Sequence, residues 1–385
     1  MTSRFIIKGL ALAASLLAFT SGLRAQDNAS LLNALVRKGI LTDQEAEDLR
    51  ADVAKENTAA LASTSKSPNL EKLTLSGRFQ SQFVALNTDN DSGGAVVKPA
   101  SSQHFFLRRV YIGVKPQFSA NWSAYLNYDF AGSTFDAAQI TWAPSPQLVV
   151  DVGFRKVPFG YDENFISSGA LKAIERSPIT RFFVESNNGR RLGAGSYRQG
   201  VFVGGASPGG GLTYNLAVTN PERDESAAGA AGVGTNANNN LSYWGNVGYG
   251  RKFGPTLLNS WKVGLSVGEL PDQGGPSNAN LGRGYDLSVY SAYADLYYDK
   301  FSLVGEAYWS KNDKGVSLTR DAEASGWWIQ PSYRYSQYEF VARYTEVDSD
   351  GRGVLPGDLV RSAPNPTGIT FGKLNEWYVG FNWYL

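Results

Sequence analysis

The chain has 385 residues, 36 Lys and Arg against 35 Asp and Glu, one His and no Cys. So even a charge balance is not that of a nucleic-acid binder, and without cysteine there is neither a disulfide framework nor a thiolate metal site. The 42 Gly, 20 Tyr, 20 Phe and 9 Trp suit a strand-rich protein, and after the first residues no run reaches the ~20 apolar residues of a membrane-spanning helix.

Residues 1–25 open with Arg4 and Lys8, followed by the apolar run GLALAASLLAF. This is the layout of a secretory signal peptide, with a cut expected after Ala25. Its loss removes Arg4, Lys8 and Arg24, which leaves 33 basic against 35 acidic residues. Residues 26–69 read as a helical segment and linker. Leu31, Leu32, Leu35 and Val36 keep helical spacing, Gly39 is a C-terminal stop, and Thr42 with Glu45 forms a capping box for a second helix carrying Ala46, Leu49 and Val53. The segment is too small to hold a core alone. The polar spacer STSKSPN closes it.

From residue 70 the period changes to two, the period of a strand. Leu73, Leu75, Phe79 and Phe83 alternate with Thr74, Ser76, Arg78, Gln80 and Gln82. Ala124, Leu126, Tyr128 and Phe130 alternate with Tyr125, Asn127 and Asp129. Leu148, Val150, Val152 and Phe154 oppose Asp151, Gly153 and Arg155, and Tyr338, Phe340, Ala342 and Tyr344 oppose Glu339, Val341, Arg343 and Thr345. The chain ends on the same pattern, with Trp377, Val379, Phe381, Trp383 and Leu385 on one parity. Tight turns near Pro116, at PSP (144–146), at PGGG (208–211), near Gly254, at Tyr298–Lys300 and near Ser336 alternate with longer polar loops at 87–102, 160–193, 220–240, 271–282, 312–321 and 349–372. Apolar-out, polar-in strands with short turns at one end and long loops at the other predict a transmembrane antiparallel β-barrel over 70–385, in an outer membrane. The count is 14 strands, or 16 if residues 160–193 hide a hairpin. A soluble two-sheet sandwich is the competing reading; the persistently polar second face argues against it.

FFLRRVYIGVKPQF (105–118), FRKVPFGYDENF (154–165), IERSP (174–178) and GRRLGAGSYRQGVFVGG (189–205) resemble the phosphate-selective porin O and P family, and the resemblance extends over 70–385. It implies an outer-membrane porin of a Gram-negative bacterium, a homotrimer, a third loop folded into the barrel, and the 26–69 helices on the periplasmic side. It also implies passive diffusion of small anions, phosphate or polyphosphate among them.

By parity Arg78, Arg109, Lys115, Arg155, Arg334 and Arg343 are expected to face the lumen, sharing it with Asp129, Asp151, Glu306 and Glu339. If residues 160–193 fold inward as the resemblance implies, Lys172, Arg176, Arg181, Arg190 and Arg191 join them, five cations against Asp162, Glu163, Glu175 and Glu185. Selectivity would then come from pore width and lumenal charge, with arginine able to hold phosphate through its planar fork. Each arginine has a second reading, as a partner in a salt-bridge lattice that stiffens the wall. No cofactor is expected. Asp89-Asn90-Asp91 and Asp348-Ser349-Asp350-Gly351 lack the distal glutamate of a calcium loop. A non-selective structural or adhesive barrel is the alternative function. An enzyme would have to rest on His104, beside Ser101 and Ser102, with no identifiable third group to orient it.

Overall fold

Alternating side chains need a sheet, and a sheet with one apolar face needs something apolar to meet it. A computed structural model describes residues 70–88, 100–185, 190–209, 211–220, 240–254, 259–271, 284–365 and 370–384. The expected signal peptide, the helices of 26–69 and the Asp89-Asn90-Asp91 stretch lie outside the described residues. The chain divides into two compact units, residues 1–73 with 116–119 and residues 74–115 with 120–385. Within the first, the Glu71 amide donates to the Gln117 carbonyl at 2.8 Å. Apart from residues 72, 73, 116 and 117, the second carries the elements that follow.

The strands run in chain order: β1 (Lys72–Thr88), β2 (Ala100–Gln117), β3 (Trp122–Asp129), β4 (Thr134–Ser145), β5 (Leu148–Lys156), β6 (Tyr197–Ala206), β7 (Leu212–Thr219) and β8 (Ser242–Phe253). They continue with β9 (Asn259–Leu270), β10 (Leu287–Tyr298), β11 (Phe301–Ser317), β12 (Arg320–Ala322), β13 (Ser325–Tyr335), β14 (Tyr338–Asp348) and β15 (Lys373–Trp383). Fourteen form one path of neighbours from β1 to β15, and short β12 pairs off that path with β11. The count of 14 through-strands therefore matches the sequence pattern. Residues 157–196 hold two short helices, α1 (Tyr161–Asn164) and α2 (Pro178–Val184), and no strand among the described residues, which removes the 16-strand alternative. A third, α3 (Pro356–Leu359), lies in the loop before β15. Residues 312–321, read as a loop, instead prolong β11 and form β12.

The two-residue turns are where Tyr298 pairs with Phe301 and Tyr335 with Tyr338. Asp299 (φ 53°) and Ser336 (φ 54°) take the left-handed conformation such turns require. The faces segregate opposite to a soluble protein. Trp377 (82%), Val379 (86%), Phe105 (78%) and Leu75 (71%) stand exposed on one side, while Asp151, Glu306, Glu339, Arg198 and Arg343 are buried on the other. Water would not stabilise so broad an apolar face, and hydrocarbon does.

No β1–β15 ladder is present among the described residues; the hydrogen-bonded path begins at one and ends at the other. Yet the sheet is strongly curled. One segment of chain, 157–196, makes side-chain hydrogen bonds to β1, β2, β10, β11, β13, β14 and β15. A single loop reaches both ends of the strand order only if the sheet wraps around it.

Candidate functional site: the loop on the polar face

The loop enters from the long-loop end of β5. Gly160 has φ 83°, and a Cβ there would lie 2.8 Å from Val184, so glycine is required for the turn into α1. Glu306 of β11 receives the loop: it accepts the amides of Tyr161 (2.7 Å) and Asp162 (3.2 Å) and the Tyr308 hydroxyl (2.6 Å). The chain then descends to Lys172, whose ammonium donates to Ser302 (2.6 Å) and Ser332 (2.8 Å) and pairs with Glu339 (2.8 Å). Those three residues begin β11, end β13 and begin β14, so the tip of the loop lies near the short-turn end of the sheet.

On its return the segment joins the two sheet edges. Gln82 of β1 donates to the Ile174 carbonyl (3.3 Å), and the Ile174 amide donates to the Tyr378 hydroxyl of β15 (3.1 Å). Asn382 donates to the Lys172 carbonyl (2.7 Å). Ser177 caps α2 by accepting the Thr180 amide, with Pro178 at the first helical position, where its missing N–H costs nothing. The apolar side of α2 packs against inward aromatic side chains of the wall. Ile179, Phe182, Phe183 and Val184 are fully buried, in one cluster with Trp244, Tyr308 and Trp328, and Phe183 stacks on Tyr308 at 5.0 Å. The loop therefore has its own core inside the curled sheet.

The predicted cations divide into three groups. Most of the loop's positive charges meet carboxylates. Arg176 pairs with Asp162 (3.4 Å) and Glu163, Arg190 with Asp358 of α3 (2.6 Å), and Arg191 with Glu185 (3.1 Å). Arg181 lies 3.6 Å from Glu185 and donates to the carbonyls of Gly357 and Asp358. On the wall, Arg343 makes a two-pronged pair with Glu376 (3.0 Å each) and Arg155 pairs with Asp151. Arg78 and Arg109 meet neutral partners, Arg78 the hydroxyls of Ser167 and Ser168 and buried Arg109 the Gln80 side chain (2.8 Å). Lys115 is exposed, toward the short-turn end of β2. The salt-bridge reading thus describes most of the predicted arginines.

Burial raises the carboxyl of Glu163, but Arg176 and Lys156 beside it prevail and hold it down at about 2. Burial lowers Arg181 to about 10; Glu185 pulls it up, while Arg361 and Arg191 push it down.

Parity reading missed Arg108. Leu107 is exposed before it and Ile112 after it, on opposite parities, so the alternation breaks and adjacent Arg108 and Arg109 both reach the polar face. Arg108 grips Glu175 with both prongs. Arg361, in the loop after α3, pairs with Glu185 (2.9 Å) and was likewise not singled out. Nor was Lys262, which lies over the rings of Tyr161, Phe165 and Tyr293 at 5.5, 5.5 and 5.8 Å.

Two polar cavities flank the loop. One, of ≈ 390 Å³, is lined by Arg78, Tyr111, Tyr125, Asp136, Lys156 and Glu163. The other, of ≈ 370 Å³, has Arg251, Lys252 and Lys262 against Asp295, which accepts the Tyr161 hydroxyl at 2.6 Å. Among the described residues no group of acidic or histidine side chains could hold a metal ion. His104 meets the Ser102 hydroxyl (3.0 Å) and has no carboxylate partner among the described residues.

The family described as phosphate-selective porin O and P matches residues 74–385, most of the chain. The chain belongs to this family. As a member of this porin family it is an outer-membrane channel protein. No curated protein matches the sequence. Among solved structures, OmpF of Salmonella typhi, in a complex with daunomycin, aligns over 73% of this chain and 80% of its own, with TM-score 0.48 and 13% identity. The outer-membrane channel DcaP of Acinetobacter baumannii covers 81% of this chain and 86% of its own, with TM-score 0.47 and 14% identity.

Proposed function

We propose that this porin is a passive channel for small solutes that prefers anions, with solutes passing beside the inward loop through the polar cavities. The observation that carries the reading is the charge of the cavity near the short-turn end, with Arg251, Lys252 and Lys262 against Asp295 alone. In a narrow, low-dielectric passage such an excess concentrates anions. The opposite cavity is balanced, with Arg78 and Lys156 against Asp136 and Glu163. Because Arg155, Arg176, Arg190, Arg191 and Arg343 are engaged by carboxylates, the field favours a general anion preference, with phosphate as one of several solutes. The test is reversal potential under a salt gradient. Lys252→Ala with Lys262→Ala is expected to reduce the anion-over-cation ratio several-fold, and an unchanged ratio contradicts the assignment.

A homotrimer with the 26–69 helices on the periplasmic side, exported by cleavage of residues 1–25, completes the reading and rests on family membership and on the signal-like start. Light scattering in mild detergent tests the trimer, and a monomer mass refutes it. Removing residues 27–65 is expected to leave conduction intact, because the barrel does not need them.

A further inference from the structure

Strand β4 breaks its own alternation. Asn127 of β3 pairs with Ala137, and the next residue, Tyr128, pairs with Phe135, so Asp136 is an extra residue in the ladder. A bulge of this kind re-aims a side chain. Phe135 stays on the exposed apolar face. Asp136 turns to the polar face, where its carboxylate accepts from the Tyr197 hydroxyl and from the Asn127 side chain (3.3 Å). Both donors are neutral, and Asp136 makes no ion pair among the described residues.

Arg78 of β1 is its counterpart. It donates to the hydroxyls of Ser167 and Ser168 in the loop and lies over the Tyr111 ring at 5.8 Å. A Cβ at Gly169 would lie 2.6 Å from its Nη2, so the loop backbone closes on the guanidinium. It too makes no ion pair among the described residues.

Arg78 and Asp136 line the same cavity of ≈ 390 Å³. The other two charged groups of its lining, Lys156 and Glu163, pair with each other. One cation and one carboxylate therefore face a common space, and neither neutralises the other. They stand on β1 and β4, three strand spacings apart in the sheet, which is about 14 Å along it at ~4.8 Å per spacing. A half-buried charge without an opposite partner favours one that arrives. Both groups have capacity left: the guanidinium has donors beyond its two serine contacts, and each carboxylate oxygen has a second lone pair.

We infer that this cavity binds a small zwitterion of the α-amino acid class. The carboxylate of the solute accepts from the planar fork of Arg78, and its ammonium donates to Asp136, with the rings of Tyr111 and Tyr125 lining the space beside them. The inference goes beyond the anion preference. It concerns the opposite cavity and a solute without net charge, which the excess at Lys252 and Lys262 does not select. A simple anion or a simple amine gains only one of the two contacts.

The test is calorimetric titration of the full-length protein in nanodiscs at pH 7, with empty nanodiscs as control. The probes are L-serine, glycerate, in which a hydroxyl replaces the ammonium, and 2-amino-1,3-propanediol, in which a hydroxymethyl replaces the carboxylate. Serine is expected to bind at least about tenfold more tightly than either analogue, the factor that one hydrogen bond between charged groups supplies. Asp136→Asn should erase the preference over glycerate and keep that over the diol. Arg78→Gln should do the reverse. This crossed pattern is one that a merely structural role of either residue does not produce. Equal binding of serine and either analogue by the unaltered protein overturns the proposal, as does a variant that changes both preferences alike. The anion reading is tested separately, by reversal potential of the Lys252→Ala, Lys262→Ala protein, so either reading can fail without the other.

Discussion

Glu163 is the residue on which the inward loop's charge balance turns. Its carboxyl is held at about 2 by Arg176 and Lys156 against the opposing effect of burial. A depressed carboxyl stabilises the folded state above its unfolded value near 4.5 and loses that contribution as pH falls through about 2. Loop docking is therefore expected to be steady from pH 7 to about 5 and to weaken progressively between about 5 and 2, read as rising current noise. Noise that rises already between pH 6 and 5 contradicts this. Glu163→Gln should weaken docking by about 2–3 kcal/mol, the usual cost of leaving a part-buried charge unpaired, measured by hydrogen exchange over residues 160–180. Arg176 is the larger hub, since it meets Asp162, Glu163 and the Ile166 carbonyl. Arg176→Ala should disturb gating far more than Arg155→Ala, which releases Asp151 and one ring contact with Phe202. Single-channel noise of the two variants compares them directly. Parity assigned Arg109 to the polar side, where it is buried, but gave Arg108 no role, because one extra residue in a strand reverses every later side chain. Nothing local in FFLRRVYIGV marks where that reversal falls.

At the scale of elements, the strands were legible because lipid on one side and a polar interior on the other impose a strict period of two. The alternations read around Leu73, Leu126, Val152, Phe340 and Trp377 correspond to β1, β3, β5, β14 and β15. The loop was legible as long and charged, but its pairing was not. The partners of Lys172 stand 130, 160 and 167 residues further along the chain, at Ser302, Ser332 and Glu339, and period-two patterning carries no information across such distances. The inward aromatics were hidden too: Trp327 and Trp328 are adjacent, and only the second is buried under the loop. Lys172 fixes the loop's tip, so Lys172→Met should free it and raise unitary conductance, with unchanged conductance counting against a docked tip. Gly153 is a test of the wall itself. It has φ 137°, and a Cβ there would lie 2.3 Å from the Ala138 carbonyl oxygen, backbone that cannot yield. Gly153→Ala should cost about 1–3 kcal/mol in strain alone and reduce the heat-modifiable folded fraction on gels.

For the whole molecule, the sheet's two faces and the loop within it form one device: a wall stabilised by lipid outside, and an interior largely filled by a segment that stabilises itself with apolar packing and paired charges. Residues 172–176 contact both β1 and β15, so the loop braces the seam where the strand order begins and ends. Conduction must then pass beside the loop. The chain has no cysteine, so a single introduced thiol reports one position without background. Ser260 lines the cationic cavity. The decisive measurement is unitary current through Ser260→Cys in a planar bilayer before and after a charged methanethiosulfonate reagent. A stepwise fall in current is predicted, with none in Val379→Cys, whose side chain faces lipid. An unaltered current through modified Ser260→Cys would contradict passage beside the loop.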